Sequence, residues 1–510
     1  MNIGSLLPRH ARFRSDHPCF VMDAETFTYQ QFNAHVNKLA HGLLLAGVKK
    51  GDKCAAVLSN STALMALYWA AAKTGIVIVP ASSLLQGSGL ITLLNDCHAA
   101  IVFADASYGD FFRDQGEKFP AIKPLCMILV GNNKNDHPDF MFYDDFIAGQ
   151  PDSEPPDAKI VDDDVYNIMY SSGTTGAPKG IIHTHYVRAN YCTHFAGAYR
   201  MTPESIVLHA GSIVFNGCML DLMPWMYLGA TYILHGSFEA GAVLKEIEKS
   251  HVTHTVMVPS QIIQLLDHPD FKPQKLQSLE MVLSLGAPLL LDHKKRLNAA
   301  LPGRFYELYG LTEGFMTILD RTDAVSKQGS VGTPPAFHDM KIIREDGSIC
   351  DAGEVGEICG RGPVLMPGYY NRPDLTEKAI IDGWLHTGDA GYVDEDGYLY
   401  LVDRIKDMII SGGVNVYPKD IEEIAITHPD IAEVAVFGAP DDKWGEVPIA
   451  AVLLKKGSNL DPIVLTKWVN ERAQAKYQRL KNIIVLDEFP RNVAGKTLKR
   501  EILEIWLSGH

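Results

Sequence analysis

The feature that most constrains the fold is an alternation of short β-branched runs with helically spaced apolar residues, sustained to about residue 400. Phe32 to Leu45 sets Phe32, Val36, Leu39, Leu43 and Leu44 on one side of a helix, and Cys54-Ala-Ala-Val-Leu58 follows as a compact apolar run. Thr62 to Lys73 is helical again, and Ile76-Val-Ile-Val79 is β-branched. The pattern returns at Ile101–Phe103, Met127–Val130, Thr231–Leu234 and Val256–Val258. Short strands that are apolar on both faces are buried on both faces, and intervening helices supply the crossovers that parallel strands need. The expected fold class is α/β, with parallel-sheet subdomains covered by helices.

The texture changes after about Gly353. Gly356-Glu-Ile-Cys-Gly360 and Gly397-Tyr-Leu-Tyr-Leu-Val402 predict a β-rich subdomain. Asp403-Arg-Ile-Lys-Asp407 interrupts it, and Met408-Ile-Ile410 starts afresh. Strand-like Val434–Phe437 and Ala450–Leu454, with a helix over Pro462–Ala475, complete a small α+β unit. The organisation expected is a large N-terminal domain over 1–403, a hinge at 404–407 and a small mobile C-terminal domain over 408–510. Pro151 to Asp164, rich in Pro and Asp, reads as a surface linker.

At 510 residues the chain exceeds one simple domain, and its 46% hydrophobic and 21% charged content is that of globular proteins. A net charge of −15 with no clustered basic face excludes a nucleic-acid surface. The eight cysteines form no C-x-x-C pair and are not spaced with histidines like zinc ligands, so they are expected reduced and buried. The N-terminus lacks a charged segment followed by an apolar one, and the most apolar stretch, Ala63 to Ser82, contains Lys73, Gly75 and Pro80. A cytoplasmic chain with neither leader nor membrane span is expected.

The chemistry concentrates first in Tyr170-Ser-Ser-Gly-Thr-Thr-Gly-Ala-Pro-Lys-Gly180. Its glycines let backbone N–H groups face an anion, Ser171, Ser172, Thr174 and Thr175 add hydroxyl donors, and Lys179 adds a cation. Together with Gly173 and Gly176 these residues make a polyphosphate cradle. The spacing of a Walker A loop is absent here, and Gly495-Lys-Thr497 lacks the upstream glycine that such a loop requires.

The string resembles the signature of the adenylate-forming superfamily, which includes acyl- and aryl-CoA synthetases, luciferases and nonribosomal-peptide adenylation domains. The resemblance spans nearly the whole chain. It takes in Ser284-Leu-Gly-Ala-Pro288, Tyr309-Gly-Leu-Thr-Glu313, Gly329-Ser-Val-Gly332 and Gly368-Tyr-Tyr-Asn371. It continues through Trp384-Leu-His-Thr-Gly-Asp389, Asp403–Asp407 and Pro490-Arg-Asn-Val-Ala-Gly-Lys496, all in family order.

By that resemblance Thr312 bonds the α-phosphate, Glu313 holds Mg²⁺, and Tyr309 offers a flat face to adenine. Gly286, Ala287, Pro288, Glu307 and Gly310 line the nucleotide. Asp389 accepts from the ribose hydroxyls, Arg404 reaches ribose or phosphate, and Lys496 bridges the acid carboxylate and the α-phosphate. Lys406 sits at the hinge. Gly412, Gly413, Trp444, Arg479 and Lys481 meet coenzyme A, although Tyr477-Gln-Arg-Leu480 departs from the Tyr-Lys-x-Pro of many relatives. Joining two anions is largely an electrostatic problem, so positioned cations and donors suit it.

The acid pocket is expected from Val214, Phe215, Asn216, Met257 and Leu285. Val214 stands where many relatives have histidine, Phe215-Asn216 lacks the aspartate of amino-acid-activating relatives, and Leu285 replaces a frequent glycine. A neutral, largely apolar pocket of this kind fits a fatty, alicyclic or aromatic acid. The resemblance thus implies an AMP-forming acyl-CoA synthetase using ATP, Mg²⁺ and coenzyme A, and a homodimer is compatible with it. An aryl-acid CoA ligase, or a stand-alone adenylation enzyme loading a carrier protein, is the alternative. On this reading Lys496→Ala lowers acid-dependent pyrophosphate release by roughly 100-fold or more and spares thioester formation from preformed acyl-AMP. Equal losses in the two half-reactions exclude the assignment.

Overall fold

A computed structural model describes the chain apart from residues 84, 120–121, 123–125, 133, 172–178, 405–406, 413, 442, 459, 474, 492–496 and 509–510, and apart from the side chains of Ser171, Asp403, Arg404 and Asn415. Among the described residues the strands form four sheets. The eight-stranded sheet runs Met316–Leu319, Phe305–Gly310, Met281–Ser284, His254–Met257, Ile206–His209, Thr231–Leu234, Pro18–Met22, Glu25–Thr28. Its inner strands are parallel and only its two edge strands are antiparallel. The seven-stranded sheet runs Met141–Phe142, Met127–Val130, Ala99–Asp105, Lys53–Val57, Val77–Ala81, Val165–Ser171, Lys179–Thr184, and only its last pair is antiparallel. The apolar runs read from the sequence are therefore strands of parallel sheets, as their two-sided apolarity requires.

The third sheet is antiparallel and holds Asp339–Ile343, Gly356–Arg361, Trp384–Val393, Ile380–Ile381 and Leu399–Arg404. The fourth holds Val414–Val416, Ile409–Ser411, Gly445–Leu454, Ile431–Asp441 and Asn482–Val485. Two helices show why the first half packs as it does. Tyr29–Leu45 starts on a capping box, with Gln31 N–H donating to Thr28 Oγ1 at 3.2 Å and Thr28 N–H to Gln31 Oε1 at 2.9 Å. Thr62–Thr74 is capped by Ser61, ends on left-handed Gly75 at φ 71°, and is buried from Ala63 to Thr74. A helix apolar all round belongs in a core and not on a surface.

The Pro- and Asp-rich stretch before Val165 has no regular structure and lies mostly exposed, as a surface linker does, and it is tied down at one point. Lys73, on the buried helix, donates from Nζ to Asn33 Oδ1 and Asn37 Oδ1 at 2.6 Å each and to Glu154 Oε2 at 2.8 Å. Burial pulls the Lys73 ammonium down to about 8, against the opposing pull of Glu154. All eight cysteines are buried and unbridged. No described helix is long and apolar enough to cross a membrane.

Removing Glu154 leaves the Lys73 charge buried without its counter-ion, a change that costs about 1–3 kcal/mol when one partner keeps some solvent contact. Glu154→Ala is therefore expected to lower the melting temperature by several degrees, with Glu154→Gln losing less. Unchanged melting in both variants would refute the anchoring role.

Candidate active site

Parallel pairing puts the carboxyl ends of Ile206–His209, His254–Met257, Met281–Ser284 and Phe305–Gly310 on one sheet edge. In sheets of this kind ligands bind at that edge. Segment 210–217, segment 285–288 and Thr312–Glu313 all emerge there. Ser284 pairs with Glu307, so Gly286-Ala287-Pro288 and Tyr309-Gly310 leave the edge side by side. Gly286 has φ 86°, a left-handed turn suited to glycine.

The phosphate-loop string joins two antiparallel strands, Val165–Ser171 and Lys179–Thr184, whose register partners Ser171 and Lys179 close its base. Ser172, Gly173, Thr174, Thr175, Gly176, Lys406, Gly413 and Lys496 lie outside the described residues, as do the side chains of Ser171 and Arg404. Gly180 is fixed by close approach: a Cβ there would lie 2.8 Å from Ile168 Cγ2 and 3.2 Å from Tyr370 Cβ. Tyr370 N–H donates to the Gly180 carbonyl at 2.7 Å, and Ile182 N–H to that of Gly368 at 3.2 Å.

This crossing delivers Tyr369, a residue of the Gly368–Asn371 motif to which the sequence attached no role. Its hydroxyl donates to Glu313 Oε1 at 2.8 Å, and Lys179 Nζ lies 5.5 Å from its ring centre. Burial and the Glu313 carboxylate both raise the Tyr369 pKa, so the hydroxyl stays protonated as a donor. One tyrosine thereby joins the loop lysine to the motif glutamate. Glu313 is also held through its backbone, its carbonyl accepting Met366 N–H at 2.8 Å. A second unanticipated residue, His183, is fully buried and approaches the Thr312 carbonyl at 2.8 Å through Nε2. Burial and then the nearby Arg188 charge push its pKa well below normal, which leaves a neutral ring donating from Nε2.

On the ribose side Tyr309 Oη donates to Asp389 Oδ2 at 2.7 Å. The Asp389 turn is built by its neighbours. Gly388 has φ 70° and donates its N–H to Glu357 Oε1 at 3.1 Å, and Thr387 Oγ1 donates to the Ile358 carbonyl at 2.7 Å while accepting Asp389 N–H at 3.1 Å. Glu307 is placed differently from an open nucleotide contact. It is buried and ion-paired at 2.5 Å with the equally buried Lys294, and burial raises its pKa against that lysine.

Among the acid-pocket residues, Val214 is buried and Phe215 and Leu285 are partly buried against the same core. A Cβ on Gly217 would lie 2.9 Å from Leu285 Cδ1, so that glycine makes room for the leucine. Met257 stands apart from this group. Side chains alternate across a strand, and on His254–Met257 it is Val256 that joins the Val214 core, whereas Met257 packs with Leu208, Ile262 and Val282 on the other face. Asn216 accepts Arg188 Nη2–H at 2.8 Å.

In the C-terminal part, a Cβ on Gly412, at φ 60°, would lie 2.7 Å from Trp444 Cε3, so that glycine lets the indole lie flat against the chain. Trp444 is 48% exposed, which suits a stacking surface. Arg479 is exposed, while Lys481 Nζ is paired with Asp441 Oδ2 at 2.7 Å.

Lys179 and Glu313 thus meet on the Tyr369 ring, and Tyr309 of the same motif as Glu313 reaches Asp389. Residues 7–370 match the AMP-binding enzyme family and residues 420–496 its C-terminal domain, and the chain belongs to that family. Within it the chain falls among AMP-forming acid–thiol ligases. It is 34% identical over 506 residues to a feruloyl-CoA synthase of an Amycolatopsis species, covering 98% of both chains. It is 32% identical to a long-chain-fatty-acid–CoA ligase of Mycobacterium tuberculosis, covering 99% of this chain and 98% of that one. Its fold matches ATP-bound MatB from Rhodopseudomonas palustris with a TM-score of 0.88 at 27% identity, covering 99% of each.

Gly314, next to Glu313, has φ 109°, and a Cβ there would lie 2.0 Å from the Val364 carbonyl oxygen. Only a backbone shift accommodates it, and misplacing a reacting group by about 1 Å costs on the order of 100-fold. Gly314→Ala should lower kcat/KM for ATP–pyrophosphate exchange by about that factor. A variant with full exchange activity would show that the backbone contact does not position Glu313.

Proposed function

We propose that this enzyme activates a carboxylic acid with an apolar body, using ATP, and transfers the acyl group to coenzyme A. In the first half-reaction an oxygen of the acid carboxylate attacks the α-phosphorus, the bond to the β-phosphate oxygen breaks, and pyrophosphate leaves. In the second the thiolate sulfur of coenzyme A attacks the acyl carbon, the bond to the phosphate oxygen breaks, and AMP leaves. The observation that carries the reading is Tyr369, which brings the Lys179 cation and the Glu313 carboxylate to one ring.

Lys179 and the loop donors hold the phosphates that depart. Thr312, its backbone fixed by neutral His183, meets the α-phosphate, and Asp389, oriented by Tyr309, takes the ribose hydroxyls. One carboxylate combined with phosphate oxygens is a donor set that suits a hard divalent cation. Glu313, steadied by Tyr369, would therefore hold Mg²⁺, which when bound offsets phosphate charge. Lys496 draws the two anions together. The segment after the 404–407 hinge then turns to present Gly412 and the exposed face of Trp444 to coenzyme A. The small domain so defined begins at 408. The half-exposed Trp444 lying against a side-chain-free Gly412 supports that role.

The test is pyrophosphate release by the full chain, across fatty, alicyclic, benzoic and cinnamic acids and the corresponding dicarboxylic acids, with coenzyme A or a phosphopantetheinylated carrier protein as acceptor. Release that depends on one acid class, with acyl-CoA as product, is expected. Acylation of the carrier alone would reassign the acceptor, and release from no acid would overturn the reading. Asp389→Ala should raise KM for ATP about tenfold or more, since it removes charge-assisted hydrogen bonds.

A further inference from the structure

Four polar side chains, Asn167, His183, Arg188 and Asn216, form a cluster, and of these only His183 has a part in the proposed nucleotide site, through the Thr312 carbonyl. Asn167, His183 and Arg188 are each 0% exposed. Asn167 and His183 are register partners on the strands that flank the phosphate loop. Arg188 comes from the helix His185–Ala198, which follows directly. Its Nε donates to Asn167 Oδ1 at 2.9 Å and its Nη2 to Asn216 Oδ1 at 2.8 Å, and its guanidinium carbon lies 4.7 Å from the centre of the Tyr191 ring.

Among the described residues, every partner of this guanidinium is neutral: two amides and a phenol ring. A buried cation is ordinarily paired with a carboxylate, because leaving it uncompensated in a low-dielectric interior is costly. Three buried polar atoms in the same cluster also lack a partner among the described residues, namely Arg188 Nη1, Asn167 Nδ2 and His183 Nδ1. The first two are donors. A guanidinium N–H and an amide N–H offered together suit an oxygen anion. Asn216 keeps partial exposure and belongs to the segment that follows Ile206–His209 at the carboxyl-end edge of the sheet, which ties the cluster to that edge.

We infer that Arg188, with Asn167 and Asn216, determines specificity at the distal end of the acid, and that the acid is a dicarboxylate whose second carboxylate accepts from Arg188 Nη1 and Asn167 Nδ2. Val214 is buried and Phe215 and Leu285 pack against the same core, and these apolar side chains would meet the carbon body. The inference rests on the acid–CoA ligase reading and narrows its substrate class. A polar site built to bond an oxygen rejects the analogue lacking it far more strongly than an apolar pocket discriminates by size.

The experiment compares α,ω-dicarboxylic acids with monocarboxylic acids of the same chain length and with the ω-methyl esters of the diacids. The full chain is assayed by ATP-dependent pyrophosphate release. The expected result is kcat/KM about 100-fold or more higher for the best diacid than for its monoacid and its ester. Arg188→Leu should collapse the diacid-to-monoacid ratio to within about threefold, and Arg188→Lys, which keeps the charge but loses the fork, should leave an intermediate ratio. Wild-type enzyme that prefers monoacids would overturn the inference and leave the ligase reading standing, as would a diacid preference that persists in a folded Arg188→Leu protein. Preference for the ester would assign the cluster to a neutral acceptor and overturn the carboxylate. Release from none of the acids would overturn both readings.

Discussion

Everything in the site depends on parallel pairing in the eight-stranded sheet. Parallel strands present their carboxyl ends at one edge, and here four consecutive neighbours, from Ile206–His209 to Phe305–Gly310, do so. The segments that follow them need no long excursion to meet. Residues 210–217, the Gly286 turn and the Thr312–Glu313 loop are gathered by topology before any side chain is chosen. The glycines then set how close they come: Gly217 admits Leu285, and Gly314 admits the Val364 carbonyl. A side chain at Gly314 would push the Val364 backbone away, whereas one at Gly217 would have to displace the tip of Leu285.

The second constraint is electrostatic. The chain carries a net charge of −15, yet its substrate chemistry gathers anions. Local placement resolves the conflict. Lys179 lies against a tyrosine ring and Arg188 among amides, so neither charge is cancelled by a carboxylate among the described residues. Lys294 and Lys73 show the opposite arrangement, since each is buried against a glutamate and serves the fold. Of these four cations, the two without an acidic partner among the described residues are the ones proposed to meet anionic ligands.

Much of this was legible in the sequence. Strand runs such as Met127–Val130 and Thr231–Leu234 coincide with the strands found, because a short run apolar on both faces is stable only where both faces are covered. The motif order identified the chemistry, since the loop string and Tyr309–Glu313 carry it locally. What escaped was tertiary. Tyr369 lies far from Glu313 in the chain, and only the crossing of Gly368–Tyr370 over Lys179–Thr184 unites them. Arg188 sits in a helix, where a lone arginine ordinarily marks the solvent face, and its burial follows from packing. Met257 neighbours the pocket segments in sequence, but strand alternation gives the Val214 face to Val256. Glu154 lies in a stretch whose composition reads as loop, and nothing local announces that Lys73 holds it.

The third sheet links the nucleotide to the rest of the reaction. Leu399–Arg404 pairs with Trp384–Val393, and in that register Asp389 stands opposite Arg404. Asp389, proposed to take the ribose hydroxyls, and the last strand residue before the proposed hinge therefore share a rung of one ladder. Backbone pairing transmits position stiffly across a rung, because shifting one strand breaks bonds on both. A change of direction after Arg404 acts on a strand already anchored beside Asp389, whose turn is fixed in turn by Glu357 and Thr387. Under the proposed two-step reaction, that ladder would keep the Asp389 turn in register if the following segment reorients between the half-reactions.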